Sequence, residues 1–200
     1  MQKLVLICLA QGLILSLAAQ TTGKEIIADN ELFRQALNAE FANPDESPLT
    51  DEDLKTFTQL PFYPIDTNFC VTAHFIRIDA EPFEMTTTTA RKPVYKVYGK
   101  ATFVLDGDTL VLTIYQNQKL IERPEYADYL FLPFKDLTNG EGSYPGGRYI
   151  DLRIPDSDTL VIDFNKAYNP YCAYNYKYSC PIPPKENALQ VRIEAGVKYH

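Results

Sequence analysis

From residue 68 onward the chain alternates apolar and polar residues in short runs separated by turn residues. In 69–77, Phe69, Val71, Ala73 and Phe75 alternate with polar neighbours, as in a strand with one buried face. The clearest pair of runs is 95–105 and 109–116, joined through Asp106-Gly107. Because glycine tolerates positive φ, this junction predicts a tight antiparallel hairpin. Two-residue periodicity over so much of the chain predicts a β-rich fold.

The remaining runs complete this pattern. Further strands are predicted at 129–134, 148–154, 159–164 and 188–195, with turns between them. Helical periodicity is confined to the N-terminal part, at 24–42 and in a short helix after Thr50, a good N-cap residue. The predicted fold is therefore mostly β, of α+β type: a single antiparallel β-barrel or sandwich with N-terminal helices.

The first twenty residues have the three-part order of a secretory signal peptide. A short basic segment precedes the apolar run 4–17, and small residues follow at 17–20. The apolar run is shorter than the roughly 20 residues that span a bilayer. A lipoprotein signal acylated at Cys8 is a poorer fit, because almost no apolar segment precedes that cysteine. We expect export to the periplasm or medium, a single domain over 21–200, and no membrane span after signal removal.

Composition disfavours nucleic acid as a partner. The 200 residues carry a formal net charge of -7 and contain no basic stripe. Affinity for a phosphate backbone depends on neutralisation by lysine and arginine, which this chain does not offer in clusters. No sequence pattern indicates a cofactor, and nothing in the composition specifies an oligomeric state.

The most unusual segment is 163–180, in which five tyrosines fall within the eleven residues 168–178. It is too rich in proline, asparagine and tyrosine for a helix. Loops of this kind on a rigid scaffold commonly carry binding sites. The segment predicts a pocket for a small polar ligand, with candidate binding residues Arg148, Asp163, Asn165, Lys166, Tyr168, Asn169, Tyr171 and Tyr174.

Arg148 falls on the apolar face of its predicted strand, together with Ile150, Leu152 and Ile154. A buried arginine needs an acceptor, because an unpaired buried charge is costly. Asp163, at the end of the next predicted strand, is the expected partner. The pair is interpreted as a structural salt bridge, with an anion or carboxylate site as the alternative.

Three cysteines remain after residue 20. In an exported chain Cys172 and Cys180 are expected to form a disulfide closing a nine-residue loop, worth about 2.6 kcal/mol in the chain-entropy model. The alternative is a zinc site built from Cys70, His74 and the two loop cysteines. The seven residues between the loop cysteines do not fit the usual spacing of structural zinc ligands. We therefore predict no metal.

No catalytic motif is present. The sequence has two histidines, His74 and His200, and contains neither G-x-S-x-G nor H-E-x-x-H. If the protein is an enzyme, hydrolase-like acid–base chemistry would fall to Asp163 or Lys166. A small-polar-ligand-binding β domain is the favoured interpretation, with an enzyme or a purely structural envelope protein as alternatives.

The sequence resembles a family of uncharacterised proteins called domain of unknown function 1684. The residues that carry the resemblance are the glycine-rich run from Thr138 through Gly147-Arg148-Tyr149, the run Asp163-Phe-Asn-Lys-Ala-Tyr-Asn-Pro170, Cys180-Pro-x-Pro-Pro184, and Ser47-Pro-Leu-Thr50. The resemblance covers almost all of the chain after residue 20 and implies one small domain, with no established activity. The chain departs from the pattern at Val197, where the family has an acidic residue after the glycine.

Overall fold

The structure, a computed structural model, describes residues 23–199. The predicted signal peptide and its cleavage site, Cys8 and His200 lie outside the described residues. Two helices, α1 at 23–42 and α2 at Asp51–Thr56, precede seven strands. The strands are β1 Cys70–Arg77, β2 Phe83–Glu84, β3 Val94–Leu105, β4 Asp108–Asn117, β5 Tyr129–Phe134, β6 Arg148–Arg153 and β7 Thr159–Asp163.

The strands form one curled antiparallel sheet in the order β6-β5-β4-β3-β1-β7, with β2 paired to β3. The sheet is a half-barrel packed with the N-terminal helices, which confirms the predicted fold class. At the β6 edge, the backbone of Tyr149 exchanges two hydrogen bonds with that of Tyr168, at 2.9 and 3.0 Å. The tyrosine-rich segment thus continues the sheet where β6 would otherwise be unpaired.

Both predicted helices are present. In α1, Phe33, Leu37 and Phe41 follow helical spacing, and the helix ends before Asn43-Pro44, where proline disfavours helical geometry. Thr50 caps α2 by accepting a 3.1 Å hydrogen bond from the backbone N–H of Asp53. None of the described helices is long and apolar enough to cross a lipid bilayer.

The hairpin between β3 and β4 is confirmed. Leu105 pairs with Asp108, and the two residues between them have positive φ, 52° at Asp106 and 89° at Gly107. Positive φ at both central residues is the hairpin turn that matches the natural twist of the strands.

A β-bulge interrupts β3. The register shifts between Val97 and Gly99, so the residues before the bulge face the opposite way from those after it. Tyr95 therefore packs on the outer face, whereas Tyr98 and Ala101 lie in the interior. Gly99 is required because a Cβ there would lie 2.4 Å from the Phe75 ring and 2.7 Å from the Ile76 carbonyl.

The predicted strand at 188–195 is wrong. This segment is irregular: it makes a single β-bridge, between Ala188 and Lys135, and its backbone hydrogen bonds go partly to the chain after β5 and partly to buried side chains. Arg148 donates to the carbonyls of Ala195 and of Ile193, the latter at 2.8 Å. Asp136 accepts the backbone N–H of Ile193 at 2.8 Å. The alternation of apolar residues in 188–195 predicts which side chains are buried, but it does not predict which groups form hydrogen bonds with the backbone.

Asn187 joins β4 to β5 by taking the place of a missing backbone donor. Pro133 of β5 has no N–H, so it cannot complete the ladder opposite Thr113. The Asn187 amide accepts from the N–H of Thr113 at 2.8 Å and donates to its carbonyl at 2.8 Å and to that of Pro133 at 2.7 Å. A buried side chain thus repairs the ladder that proline interrupts.

Apolar side chains form clusters on both faces of the sheet. The interior cluster fills the concave side and includes Phe103, Ile114, Leu132 and Ile162. A second cluster, on the outer face, includes Tyr95, Tyr115, Phe131 and Tyr149 and is covered by the tyrosine-rich segment. A third, around Phe41, joins α1 to that segment.

Candidate functional site

A cavity of about 430 Å³ lies on the outer face of the sheet, between α1, strands β5 and β6, and the tyrosine-rich segment. We call it the outer cavity. Its helical wall is formed by Phe33, Ala36, Leu37 and Glu40, which share one face of α1 because residues three and four apart lie side by side. Six tyrosines line it: Tyr95, Tyr129, Tyr149, Tyr168, Tyr171 and Tyr178.

Strand register explains how the sheet contributes. Phe131 of β5 lies opposite Asp151 of β6. Both side chains project from the outer face, because successive residues of a strand point to opposite faces and the residues next to them belong to the interior cluster. Tyr149, two residues before Asp151, shares that face. The bulge in β3 adds Tyr95 to the same face, because it reverses the side chains that precede it.

The aromatic rings meet at steep angles. Phe131 and Tyr149 are 4.7 Å apart at 72°, Tyr149 and Tyr168 are 5.9 Å apart at 90°, and Tyr171 and Tyr178 are 5.3 Å apart at 63°. These are edge-to-face contacts, which aromatic pairs favour over face-to-face stacking. Rings at such angles form walls around a space, whereas parallel rings would fill it.

Asp151 supplies the outer cavity with a carboxylate. Its Oδ1 accepts hydrogen bonds from the hydroxyls of Tyr129 and Tyr168, each at 2.7 Å. The side chain is accessible to water where it lines the cavity. Burial raises the pKa of Asp151, although the two tyrosine hydroxyls and Arg153 oppose the shift.

Glu40 is a second carboxylate at the cavity, contributed by α1. It accepts a hydrogen bond from the hydroxyl of Tyr171, which ties the helix to the tyrosine-rich segment. Burial and this hydrogen bond raise the pKa of Tyr171, and burial raises that of Tyr168 as well. Both phenols therefore stay neutral donors at physiological pH.

No basic side chain is among the described residues that line the outer cavity. The guanidinium groups outside it have acceptors of their own. Arg153 donates to Asp128 at 2.7 Å, and Arg91 donates to the carbonyl of Ser179. The cavity therefore combines aromatic walls with two carboxylates and has no basic side chain in its own lining.

The predicted binding residues are divided among several places. Tyr168 and Tyr171 line the outer cavity. Tyr174 instead packs edge-on against Phe41 at 4.9 Å, and burial raises its pKa to about 12. Asn169 is buried and donates to the Tyr174 hydroxyl and to the Lys198 carbonyl, both at 3.1 Å.

The predicted pairing of Arg148 with Asp163 is wrong. Arg148 lies in the interior with no accessible surface, and its guanidinium pairs with Asp136 at 3.0 Å. The same aspartate binds the hydroxyl of Thr138 at 2.8 Å. Asp136 lies two residues beyond Phe134, the last residue of β5 and the partner of Arg148 in the sheet, which brings its carboxylate to the guanidinium.

Asp163 instead organises the turn that follows β7. It accepts from the backbone N–H of Asn165 at 3.0 Å, from the Asn165 amide at 2.8 Å, and from Asn30 of α1 at 2.6 Å. The Asn165 amide also exchanges hydrogen bonds with the backbone of Asp66, at 3.0 and 2.8 Å. Asp163 and Asn165 therefore connect α1, β7 and the loop before β1.

Lys166 lies in a groove between β6 and β7, a space of about 590 Å³ that Asp163 and Cys70 also line. The Lys166 ammonium pairs with Asp29 of α1. The two candidate catalytic residues thus share one groove, but each already has a partner within the protein.

The predicted disulfide is absent: Cys70, Cys172 and Cys180 are free thiols. The backbone N–H of Cys172 donates to Cys180 Sγ at 3.1 Å, so the two loop cysteines are neighbours. A hydrogen bond from the Cys180 thiol lowers the pKa of Cys172 to about 6. Within residues 23–199, no three His, Cys, Asp or Glu side chains lie close enough together to hold a metal ion, so the zinc ligand set does not assemble.

Sequence reasoning missed Asp151, Glu40 and Tyr129. The residue pattern of strands β5 and β6 does indicate this part of the site. Phe131 and Tyr149 are aromatic residues at positions facing away from the interior, where an uncovered sheet would carry polar residues. Aromatic residues on that face indicate that another part of the chain covers it and that Asp151, on the same face, lies beneath the cover.

Comparison with known proteins identifies the family. Residues 55–198 match the family model described as "Protein of unknown function (DUF1684)". The chain belongs to the DUF1684 family. The match includes every strand of the sheet, the tyrosine-rich segment and Asp151, whereas α1 with Glu40 precedes it.

A solved structure agrees with this membership. The DUF1684 chain is similar to an uncharacterized protein of Haloarcula marismortui whose structure was determined in solution by NMR. The two are 28% identical, with a TM-score of 0.70, and the similarity covers 90% of this chain and 97% of the other. No curated protein matches the chain significantly. The family and its solved relative thus support the fold and give no activity.

Proposed function

We propose that this DUF1684 protein is a small-molecule-binding domain and that its ligand occupies the outer cavity. The observation that carries the proposal is Asp151, a carboxylate that lines the aromatic cavity and is accessible there, with its Oδ1 fixed by the hydroxyls of Tyr129 and Tyr168. Ligand sites commonly combine aromatic walls with a few fixed polar groups that orient the ligand.

Size and lining support the same proposal. A volume of about 430 Å³ lies within the usual range of roughly 300–1,000 Å³ for ligand pockets. Such pockets are mostly apolar and aromatic with a few placed polar groups, and here Asp151, Glu40 and the tyrosine hydroxyls are the polar groups. The edge-to-face rings fix the walls before binding, which reduces the entropy lost when a ligand is ordered.

Thermal-shift screening of a panel of small cations, anions and neutral polar molecules tests this proposal. A ligand present at 100 times its Kd stabilises the folded state by about 2.7 kcal/mol. That corresponds to a rise in Tm of roughly 5–11 °C for a chain of this size.

Replacing Ala36 by Phe should abolish the shift, because Ala36 lies on α1 at the cavity wall and the ring would occupy the space. The matched control is Ala39→Phe, on the same helix but outside the outer cavity, which should keep the shift. If no compound of any charge class shifts Tm, or if the Ala36 variant binds as well as the parent, the proposal is wrong.

We also propose that the protein acts after export. The basic, apolar and small-residue order of residues 1–20 supports this proposal. Mass spectrometry of protein isolated from its natural host should find an N-terminus near Thr21. Recovery of chains that begin at Met1 from the cytoplasm would contradict it.

A further inference from the structure

We infer that the ligand of the outer cavity is a small organic cation, of the quaternary ammonium or alkylated amine class. This inference rests on the proposed function and names the chemistry of the ligand. Three independent properties of the cavity lead to it: the charge of its lining, the nature of its walls and the placement of its carboxylates.

The charge of the lining excludes anions. Asp151 and Glu40 are both present, and the described residues of the wall include no lysine, arginine or histidine. A carboxylate or phosphate ligand would meet two like charges with no basic group in the lining to bind it, and juxtaposed like charges disfavour binding. A cationic ligand would instead be attracted by both carboxylates.

The walls favour a cation with apolar substituents. The π face of an aromatic ring attracts a positive charge placed within about 6 Å of its centre, and tyrosine is among the better rings for this. Rings meeting at 63° to 90° surround a space from several directions, as in an aromatic cage. Methyl or methylene groups on nitrogen fill such a cage, whereas a metal ion needs several converging ligands, and within residues 23–199 no three His, Cys, Asp or Glu side chains lie close enough together to supply them.

The carboxylates are placed to act as counter-charges. The hydroxyls of Tyr129 and Tyr168 donate to Asp151 Oδ1 and so fix the position of the carboxylate, which lines the outer cavity. Glu40 is fixed in the same way by Tyr171 on the helical side. A cation between them would be attracted by one carboxylate from the sheet and by the other from the helix.

Isothermal titration calorimetry with two probes tests the inference on the purified full chain. The first probe is choline, a quaternary ammonium, and the second is 3,3-dimethylbutan-1-ol, which has the same shape with carbon in place of nitrogen. We expect choline to bind at least tenfold more tightly than the neutral probe. We expect Asp151→Asn to weaken choline by tenfold or more and to leave the neutral probe unchanged.

The control is Asp156→Asn, which removes an exposed carboxylate outside the outer cavity and should leave both affinities unchanged. If the Asp151 variant does not fold, Glu40→Gln provides the same test from the helical wall and should also weaken choline selectively. Equal binding of the two probes, or choline binding that neither variant weakens, overturns the cation assignment while the binding function stands. If choline does not bind, the cation assignment is also wrong. The thermal-shift screen of cations, anions and neutral molecules then tests the binding function separately.

Discussion

The guanidinium of Arg148 lies 3.0 Å from the carboxylate of Asp136, and neither side chain has any accessible surface. This ion pair does more than neutralise two charges. Arg148 donates to the carbonyls of Ile193 and Ala195, and Asp136 accepts the backbone N–H of Ile193. Together they hold the C-terminal segment against the open side of the half-barrel, where no strand pairs with it.

Removing one member of this pair should destabilise the fold severely. We expect Asp136→Ala to lower the free energy of unfolding by about 3–5 kcal/mol, because it leaves a buried guanidinium without its counter-charge. The matched control is Asp128→Ala, which breaks the exposed pair with Arg153 and should cost about 1 kcal/mol or less. Chemical denaturation of both variants measures the difference. If both variants lose the same free energy of unfolding, then burial does not increase the contribution of the Arg148–Asp136 pair to stability.

The β3–β4 turn gives a second prediction. Gly107→Val should destabilise by about 1 kcal/mol or more, because a β-branched residue resists the φ of 89° at this position. Asp106→Gly at the neighbouring position, with φ of 52°, should be close to neutral, since glycine adopts positive φ without steric cost. Thermal unfolding compares the two variants. A neutral Gly107 variant would argue that the turn tolerates a different geometry.

Asn187 gives a third prediction. Asn187→Ala should cost about 3 kcal/mol or more, because each buried polar group left unpaired costs about 1–3 kcal/mol and three hydrogen bonds are lost. Gln190→Ala, three residues further on and exposed, is the control and should have little effect. Hydrogen exchange at the Thr113 N–H should speed up only in the Asn187 variant. Unchanged exchange there would show that β4 and β5 hold together without the amide.

Much of the sheet could be predicted because its information is local. Alternation marked β1, β5, β6 and β7 to within about a residue, and Asp106-Gly107 fixed one register. The bulge at Val97/Gly99 could not be predicted from alternation, since it depends on the contact of Gly99 with Phe75 across the pair. The segment 188–195 has a strand-like pattern, but its backbone bonds to the irregular chain after β5 and to the side chains of Arg148 and Asp136, all distant in sequence.

The site was predicted only where its residues are concentrated in the chain. Tyr168 and Tyr171 belong to the tyrosine-rich segment and were identified, whereas Asp151 and Glu40 come from a strand and a helix more than a hundred residues apart. Composition reveals a crowded loop but not which surface the loop covers. Arg148 was recognised as buried, yet its partner could not be chosen, because the turn after β5 gives no sequence sign that Asp136 points inward.

The cysteines differ sharply in expected reactivity, which gives a fourth prediction. The Cys180 thiol lowers the pKa of Cys172 to about 6, and burial raises that of Cys70 to about 11. At pH 7 the thiolate fraction favours Cys172 about 10⁴-fold, and its weaker intrinsic nucleophilicity reduces the advantage to roughly tenfold to a hundredfold. Timed iodoacetamide labelling with mass spectrometry measures the ratio.

Two results of that labelling would contradict the structure. Equal rates at Cys70 and Cys172 would mean that Cys180 does not stabilise the neighbouring thiolate. Labelling of Cys172 only after reduction would mean that the loop cysteines are bonded in solution. Replacing Cys180 with Ser separates the effects, because it should slow labelling of Cys172 if hydrogen bonding from the Cys180 thiol is the cause.

The last prediction concerns how ionisation of Asp151 affects the free energy of unfolding of the protein without ligand. Burial raises its pKa in the folded protein, so folding favours the protonated form. That contribution to stability is fully present below the unfolded pKa of about 3.9 and is lost as pH rises through the higher folded pKa. The groups that face this carboxylate are the hydroxyls of Tyr129 and Tyr168 and the guanidinium of Arg153. Burial raises the pKa of both tyrosines, so the two phenols stay neutral over this range.

Asp151→Asn removes the ionisation but keeps an oxygen that accepts both hydroxyls. We therefore expect the variant to be more stable than the parent at pH 7, with a difference that shrinks to near zero below about pH 4. Tm measured from pH 3 to 8 for the parent, this variant and the exposed control Asp156→Asn provides the comparison. A parent more stable than the Asp151 variant at pH 7, without ligand, would show that the ionised carboxylate is already compensated within the protein, which would remove the electrostatic reason for a cation in the outer cavity.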